Sequence, residues 1–273
     1  MSGRYEKTFG RLKGREGRPR GAFIPFVTLG DPNHEESGAI LETLVEAGAD
    51  ALELGIPFSD PVADGPVIQT ASNRALDAGA TPASCMALVK RTRAAHPDIP
   101  IGLLVYANLV VSRGLDAFYG MAAEAGVDSV LVADVPVMSS RPFVDAALRA
   151  GVAPVFIVPP NADEQKLRQV AALSKGYTYY LGRNGVTGAE REMDEFGADA
   201  ASRIALLKEA GSPPVVVGFG ISKPEHVRAA IRAGADGAIA GSATVKIIAE
   251  HLGDPRSCRE ALRRFVTEMS KAS

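Results

Sequence analysis

The chain repeats one phrase four times: VEAGADALEL at 45–54, AEAGVDSVLV at 123–132, LRAGVAPVFIV at 148–158 and IRAGADGAIAG at 231–241. In each copy an amphipathic helical pattern ends at a glycine, and a short apolar strand follows. The glycines are Gly48, Gly126, Gly151 and Gly234. Glycine takes the left-handed conformation that commonly ends a helix at little steric cost. Helices that alternate with strands in this way indicate βαβ units and a parallel sheet.

The segments around these copies supply eight strand candidates. They are Ala22–Val27, Ala51–Leu54, Ile101–Tyr106, Ser129–Ala133, Pro154–Val158, Tyr177–Leu181, Val215–Val217 and Gly237–Ala240. Helical patterns lie between them, at Glu36–Ala47, Ala83–Ala95, Leu115–Ala125, Arg141–Ala150, Glu164–Leu173, Ala200–Ala210 and Pro224–Ala233. A β-α order repeated eight times over about 250 residues is the pattern of a closed (β/α)₈ TIM barrel, an α/β fold. An open doubly wound sheet is the alternative, but it would normally carry a glycine-rich fingerprint after the first strand, where T-L-G-D-P (28–32) has one glycine.

Two helical patterns stand outside the repeat. Tyr5–Leu12 is predicted to cap the bottom of the barrel, and Pro66–Ala78 to form an extra helix after the second strand. No low-complexity linker divides the sequence, so we expect residues 1–273 to form a single (β/α)₈-barrel domain.

The composition narrows the classes of partner. The formal net charge is −2, so we expect no nucleic acid and no anionic membrane as partner. Basic residues cluster at Arg11, Lys13, Arg15, Arg18 and Arg20, and we interpret them as a solvated segment beside the first strand. The N-terminus has no apolar signal core, and no apolar run reaches the roughly 18 residues that a membrane helix needs. We therefore expect a cytoplasmic protein.

Glu53 is the first candidate for chemistry, because TIM barrels hold their active sites at the C-terminal ends of the strands. It lies in the predicted strand A-L-E-L-G. Side chains alternate along a strand, so Leu52 and Leu54 should face the covering helices and Glu53 the barrel mouth. Burial there would raise the pKa of the carboxyl group and suit it to proton transfer near neutrality. A structural glutamate bonded to a neighbouring strand is the alternative.

Asp64 follows eleven positions later, in I-P-F-S-D-P-V-A-D-G-P (56–66). The three prolines of this loop make it stiff. Two carboxylates in different environments can divide the roles of acid and base. A plain D-G turn remains the alternative interpretation of Asp64.

Glycines follow the last two predicted strands, in V-G-F-G-I-S-K-P (217–224) and A-G-S-A (240–243). Gly218, Gly220 and Gly241 would let the backbone come close to an anion. Helices that begin near Lys223 and Ala243 would add free N–H groups and positive dipole ends. TIM barrels commonly bind phosphate between these two loops, so the sequence predicts a phosphate site. Glycines used only for tight turns are the alternative.

A polar, glycine-rich segment from Gly182 to about Gly197 follows the sixth strand. We predict that it is a lid that excludes water, with plain disorder as the alternative. The histidines fall in helices or their flanking loops, and Cys85 and Cys258 have no zinc spacing, so no metal site is expected. A Schiff-base aldolase is disfavoured as well, because no lysine lies in or at the end of a strand.

The stretch L-E-L-G-I-P-F-S-D-P-V-A-D-G-P-V-I-Q at 52–69 closely resembles the signature of the tryptophan synthase alpha subunit family. Other segments resemble the same family in order along essentially the whole chain, at 22–32, 103–109, 130–136, 159–162, 176–179, 183–188, 218–222 and 241–246. The resemblance implies a lyase of tryptophan biosynthesis that splits indole-3-glycerol phosphate, its small-molecule substrate, into indole and glyceraldehyde 3-phosphate.

The resemblance also implies a role for individual residues. Glu53 matches the catalytic acid and base, and Asp64 matches the carboxylate that stabilises charge on the indole nitrogen. The residues that match positions lining or adjoining the indole pocket are Phe26, Leu104, Tyr106, Leu131, Ile157 and Tyr179. The matches to the phosphate site are Gly188, Gly220, Gly241 and Ser242, and the matches to the substrate-closing lid are Arg183 and Thr187. Gly182 departs from the family, which usually has serine before the lid arginine.

The resemblance finally implies a partner. Asp60 and the loop 134–136, with Asp134 and Pro136, match the surface that meets a beta subunit in an α₂β₂ complex. That subunit carries pyridoxal phosphate and receives indole through an internal tunnel, whereas no cofactor is implied for this chain. A stand-alone lyase of the same family and a catalytically silent barrel that activates a partner are the alternatives, and Glu53 and Asp64 disfavour the second.

Overall fold

A computed structural model describes residues 3–14, 20–182 and 199–273, in which every strand pair is parallel. The strands are β1 (Ala22–Thr28), β2 (Leu52–Gly55), β3 (Ile101–Val105), β4 (Ser129–Val132), β5 (Ala153–Val155), β6 (Ile157–Val158), β7 (Thr178–Leu181), β8 (Val215–Gly218) and β9 (Gly237–Ala240). They lie in the order β5-β4-β3-β2-β1-β9-β8-β7-β6.

The two ends of this sheet are consecutive in the chain. Only Phe156 separates β5 from β6, and its carbonyl oxygen accepts a hydrogen bond from the Tyr179 N–H at 3.0 Å. The sheet therefore curves into a nearly closed barrel with eight strand positions, which confirms the predicted (β/α)₈ TIM barrel. The fifth predicted strand, Pro154–Val158, is split into two short strands.

Helices surround the barrel. They are α1 (Arg4–Lys13), α2 (His34–Glu46), α3 (Pro66–Asp77), α4 (Pro82–Ala95), α5 (Ala107–Val111), α6 (Leu115–Ala125), α7 (Arg141–Arg149), α8 (Glu164–Leu173), α9 (Asp199–Glu209), α10 (Pro224–Arg232), α11 (Ser242–Glu250) and α12 (Pro255–Ala272), with a 3₁₀ turn at Val137–Ser139. Proline is the first residue of α3, α4, α10 and α12, where its missing N–H costs no helical hydrogen bond. The repeated glycines end their helices with φ values of 103°, 86°, 74° and 95°, as the sequence predicts.

Apolar side chains form two layers, one on each face of the sheet. The outer layer lies between strands and helices and contains Leu52 and Leu54. The inner layer fills the barrel and contains Ile24, Val155 and Val216. This division follows from the alternation of side chains along each strand.

Helix α1 closes the bottom of the barrel, as predicted. Its buried face, with Tyr5, Phe9 and Leu12, joins the inner layer. The Tyr5 hydroxyl lies 2.9 Å from Ser129 Oγ, so the helix also forms a polar contact inside the barrel.

Three aspartates of the repeated phrase anchor α1 and its neighbours at the bottom. They are Asp50, Asp128 and Asp236, and all three are buried. Each carboxylate accepts a hydrogen bond from the N–H of a strand residue at 2.8 to 3.0 Å. Phe23 donates to Asp50, Ile101 to Asp128 and Val215 to Asp236. Each aspartate also forms ion pairs with one basic residue of α1 and with one further cation. Asp50 pairs with Arg11 and Arg20, Asp128 with Arg4 and Arg93, and Asp236 with Lys13 and Lys208. The remaining copy, at 148–158, has Ala153 at this position.

These ion pairs correct one sequence interpretation. Arg11, Lys13 and Arg20 are not simply a solvated segment, because their charged ends reach buried carboxylates. Arg15 and Arg18 of the same predicted segment lie outside the described residues. Buried charges are retained only when they are paired, and the partners are remote in sequence.

Candidate active site

Glu53 lies inside the barrel on β2. It pairs in register with Phe26 on β1 and with Gly102 on β3, and it is 1% exposed. Its neighbours Leu52 and Leu54 belong to the outer layer, so the strand alternates as the sequence predicts. The structure therefore places the Glu53 carboxyl group in the interior of the barrel.

The two oxygens of Glu53 have different surroundings. The Tyr177 hydroxyl donates a hydrogen bond to Oε2. Oε1 is buried and has no hydrogen-bond partner among the described residues. Burial raises the pKa of the Glu53 carboxyl to about 7, and the Tyr177 hydrogen bond opposes that rise. The group can therefore both take up and release a proton near neutral pH.

Asp64 lies in the loop that joins β2 to α3. Its N–H donates to the Pro61 carbonyl at 3.0 Å, and its own carbonyl accepts from Gln69 Nε2 at 2.7 Å. Burial raises the pKa of the Asp64 carboxyl to about 6, and a hydrogen bond with Tyr106 opposes that rise. The Tyr106 hydroxyl also accepts from the Ala63 N–H at 3.2 Å, so this tyrosine ties the loop to the end of β3.

One cavity at the mouth of the barrel has both carboxyl groups in its wall. Its other lining residues are Phe26, Ala63, Ile68, Leu104, Ala133, Ile157, Tyr179, Leu181, Phe219, Ile239 and Gly241. Most of these side chains are apolar or aromatic, which suits a flat apolar ring. Glu53 and Asp64 both raise the pKa of the Tyr179 hydroxyl, after burial itself, so both carboxyl groups lie near this ring.

The loops after β8 and β9 border the same cavity. Phe219 and Gly220 have φ values of 76° and 80°, so the β8 loop turns through the left-handed region, which a non-glycine residue rarely enters. Helix α11 begins at Ser242 after Gly241, and no side chain caps its first turn. The first N–H groups of such a helix have no partner within the helix and carry positive partial charge. This end of the cavity can therefore attract an anion.

The structure brings together most of the predicted pocket residues. Phe26, Leu104, Ile157, Tyr179 and Gly241 line the cavity with both carboxyl groups. Leu131 and Tyr106 are buried beside it without lining it, and Gly220 and Ser242 lie at its border. Three predicted residues, Arg183, Thr187 and Gly188, lie outside the described part of the chain, as does the predicted lid beyond Gly182.

The predicted partner surface is exposed at the same end of the barrel. Asp60 is exposed and accepts a hydrogen bond from Ser59 Oγ at 2.5 Å. Asp134 is exposed and accepts from the Ala107 N–H at 2.8 Å, and Pro136 is exposed two residues later. Met138 is 90% exposed in the following turn.

Several site residues escape the sequence analysis. Tyr177 contacts Glu53, and its signal is the spacing of two from Tyr179 on the same strand face. Leu181 and Ile239 follow the same alternation, whereas Ile68 and Phe219 come from a helix and a loop whose positions no local pattern fixes. Within residues 3–14, 20–182 and 199–273, no group of three His, Cys, Asp or Glu side chains could hold a metal ion.

Comparisons with known proteins agree with this geometry. The family model described as tryptophan synthase alpha chain matches residues 12–273. The tryptophan synthase alpha chain of Escherichia coli (strain K12 / DH10B) is 57% identical over 270 residues, which are 99% of this chain and 98% of the relative. The Shigella dysenteriae alpha chain has the same identity and coverage.

Solved structures share the fold over nearly the whole length. Tryptophan synthase subunit alpha from Legionella pneumophila superposes with a TM-score of 0.86 at 30% identity, covering 98% of this chain and 97% of that one. A chain of the tryptophan synthase a2b2 complex from Pyrococcus furiosus superposes with a TM-score of 0.82 at 37% identity, covering 92% of this chain and 98% of that one.

Proposed function

This chain belongs to the tryptophan synthase alpha chain family, which cleaves indole-3-glycerol phosphate in tryptophan biosynthesis, and we propose that Glu53 and Asp64 are its two catalytic groups. One observation carries the proposal. Glu53 is buried in the barrel, with Oε2 bonded to Tyr177 and with Oε1 unpartnered within the described residues. A buried acceptor of this kind is costly to a fold unless a ligand completes it.

Glu53 moves the protons. Cleavage requires a proton on C3 of the indole ring and the loss of a proton from the glycerol hydroxyl next to the bond that breaks. The electrons of that O–H bond form the aldehyde of glyceraldehyde 3-phosphate, and the electrons of the C–C bond return to the indole ring. The net change moves one proton from the hydroxyl to C3. A carboxyl group with a pKa of about 7 is balanced between donor and acceptor for both transfers.

Asp64 stabilises the charge that develops on the ring. Protonation at C3 puts positive charge on the indole nitrogen, and an ionised carboxylate in a cavity of low polarity stabilises that charge strongly. The pKa of Asp64, raised to about 6, lies below that of Glu53. Asp64 is also half-buried in a loop at the mouth, whereas Glu53 is buried inside the barrel, and this difference in environment separates their roles.

The phosphate group of the substrate binds where the loops after β8 and β9 meet. The uncapped start of α11, next to Gly241, supplies N–H groups and a positive dipole end. Gly220, Ser242 and, from the segment outside the described residues, Gly188 belong to the same proposed phosphate site, and Arg183 and Thr187 to a closing lid. Fixing the phosphate orients the indole ring between the two carboxyl groups.

A beta chain is the proposed partner. The Pyrococcus furiosus relative comes from a tryptophan synthase a2b2 complex, and an equivalent assembly for this chain would cover Asp60, Asp134 and Pro136. We place the pyridoxal phosphate of that assembly in the beta chain and none in this one. In the described part of the chain, each helix is too short or too polar to span a bilayer. We propose the cytoplasm as its location and one domain over residues 1–273.

Turnover of indole-3-glycerol phosphate tests the catalytic assignment. Glu53→Gln keeps the shape of the side chain and removes the titrating group. We expect it to lower kcat by at least about 100-fold, the usual scale of general acid–base catalysis, while KM changes little. Asp64→Asn should also cripple turnover, and the two losses should not add, because both groups serve one transition state.

A matched control uses a carboxyl group outside the barrel. Glu46→Gln changes the last residue of α2, an exposed position paired with Arg263, and should leave kcat unchanged. Near-normal cleavage by a folded Glu53→Gln protein would refute the assignment. Measuring each variant alone and with a tryptophan synthase beta chain separates a stimulated subunit from a stand-alone lyase.

A further inference from the structure

Helix α3 forms one wall of the substrate cavity. It begins at Pro66, two residues after Asp64, and Gln69 in its first turn donates to the Asp64 carbonyl at 2.7 Å. Ile68 on the same helix lines the cavity. The position of α3 therefore determines where Asp64 lies relative to Glu53.

Small side chains account for most of the packing of α3 on the barrel. Its buried residues are Ile68, Ala71, Ser72 and Ala75, a stripe at helical spacing. Apolar burial holds surfaces together but is not directional. A stripe built mainly of small residues allows close approach and provides few interlocking groups, so it resists sliding and rotation of the helix weakly.

A buried ion pair fixes the orientation of α3 on the barrel. Arg74 on α3 donates Nε to Asp31 Oδ1 at 2.8 Å and Nη2 to Oδ2 at 2.9 Å. The Asp31 side chain is fully buried, and that of Arg74 is 19% exposed. A bidentate pair of this kind fixes orientation as well as distance.

Asp31 belongs to a loop that is itself fixed to the barrel. It lies three residues after the end of β1, and its N–H donates to the Thr28 carbonyl at 3.2 Å. A Cβ added at the neighbouring Gly30 would lie 2.7 Å from the Ala80 Cβ, so this loop is in close contact with the segment that connects α3 to α4. Burial raises the pKa of Asp31, and Arg74 opposes that rise, so removing the guanidinium would leave a buried carboxyl group unpaired.

We propose that Arg74 is a positioning residue for the cleavage reaction. Through Asp31 it fixes α3 to the end of β1 and so holds Asp64 at the cavity wall. Arg74 does not line the cavity, and it lies about 12 Å along the helix axis from Pro66, so it acts through the rigid helix. The inference rests on the proposed role of Asp64.

Kinetics of four full-length variants test it, with indole-3-glycerol phosphate as substrate. Arg74→Met should lower kcat about 10-fold or more, because a displacement near 1 Å can cost about 100-fold in rate. KM should change less than about 3-fold, because the phosphate contacts belong to other loops. Arg74→Lys keeps the charge without the bidentate geometry and should lie between Arg74→Met and the unmodified chain. In an Asp64→Asn background, Arg74→Met should lower the residual kcat less than about 2-fold, because the group it positions is already disabled.

Arg20→Met is the matched control. Arg20 also makes a bidentate contact with a buried carboxylate: its Nη2 and Nη1 donate to Asp50 at 2.6 and 3.0 Å, and its side chain is 22% exposed. It lies at the opposite end of the barrel. Its loss should lower the unfolding midpoint much as Arg74→Met does, while kcat stays within about 2-fold, since remote sites do not couple.

The outcomes distinguish the positioning role of Arg74 from the proposed role of Asp64. Equal kcat losses in Arg74→Met and Arg20→Met, or a full loss from Arg74→Met on top of Asp64→Asn, would show that Arg74 only stabilises the fold and would overturn the positioning role. Near-normal turnover by Asp64→Asn alone would overturn the proposed function of Asp64 and this inference with it. If Arg74→Met does not fold, Arg74→Lys in both backgrounds decides the same comparison.

Discussion

Glu53 should make the fold less stable as the pH rises, and its pKa sets the size of the effect. The carboxyl group has an ordinary pKa of 4.5, and burial raises it to about 7. Between these two values the folded chain holds a proton that the unfolded chain has released. Each unit of that difference is worth about 1.4 kcal/mol, so about 3 kcal/mol of stability, complete below pH 4.5, is lost as the pH rises through 7.

Glu53→Gln isolates this contribution, because the amide does not titrate. We expect the unfolding free energy of the unmodified chain, minus that of the variant, to fall by about 2–3 kcal/mol between pH 5 and pH 8. Urea unfolding followed by far-ultraviolet circular dichroism, extrapolated linearly to zero denaturant, measures both proteins across that range. Groups that titrate alike in the two proteins cancel in the difference.

A surface carboxyl group provides the control. Glu46→Gln should give a difference that stays within about 0.5 kcal/mol across the same pH range, the usual size for a surface substitution. If the Glu53 difference is equally flat, the carboxyl group does not carry a raised pKa in the folded chain. The reasoning that makes it a proton donor near neutrality would then fail as well.

Three further outcomes follow from the site. Gly241→Asp should raise KM about 10-fold or more, because the new charge opposes the substrate phosphate at the start of α11. The variant should still fold, because an added Cβ would lie at least 3.8 Å from the nearest neighbouring atom. An unchanged KM would place the phosphate elsewhere. Tyr177→Phe removes the donor that lowers the pKa of Glu53, so the acid limb of the pH–kcat profile should move to higher pH. Tyr180→Phe, on the opposite face of β7, should not move it. Asp60→Ala should weaken stimulation by a tryptophan synthase beta chain more than it weakens basal cleavage, and equal loss of both would indicate a direct chemical role.

Local patterns predict the barrel because its units are local. The repeated glycines end helices with positive φ, and the alternation around Glu53 holds residue by residue. Helix α5, with five residues, and helix α12 carry no copy of the phrase and escape the prediction. The break at Phe156 also escapes, because strand periodicity continues across it: Val155 and Ile157 share the inner face while Phe156 packs outside.

The sequence does not predict contacts between segments that are distant along the chain. Tyr177 lies 124 positions from Glu53, and Arg74 lies 43 positions from Asp31. No periodicity connects such pairs, because they meet only when the ring of strands has closed. The repeated aspartates show the same limit: they are visible in the sequence, but the basic residues that pair with them become apparent only in the folded barrel.

The three buried aspartates at the bottom of the barrel affect how this enzyme can be engineered. Asp50, Asp128 and Asp236 join strands, α1 and flanking cations at the end opposite the cavity. These contacts lie at the end opposite substrate recognition, so variation at the mouth does not draw on them. Libraries that reshape the pocket around Leu104 and Ile157 for substituted indoles should retain a high fraction of folded members, provided that the bottom of the barrel is left as it is.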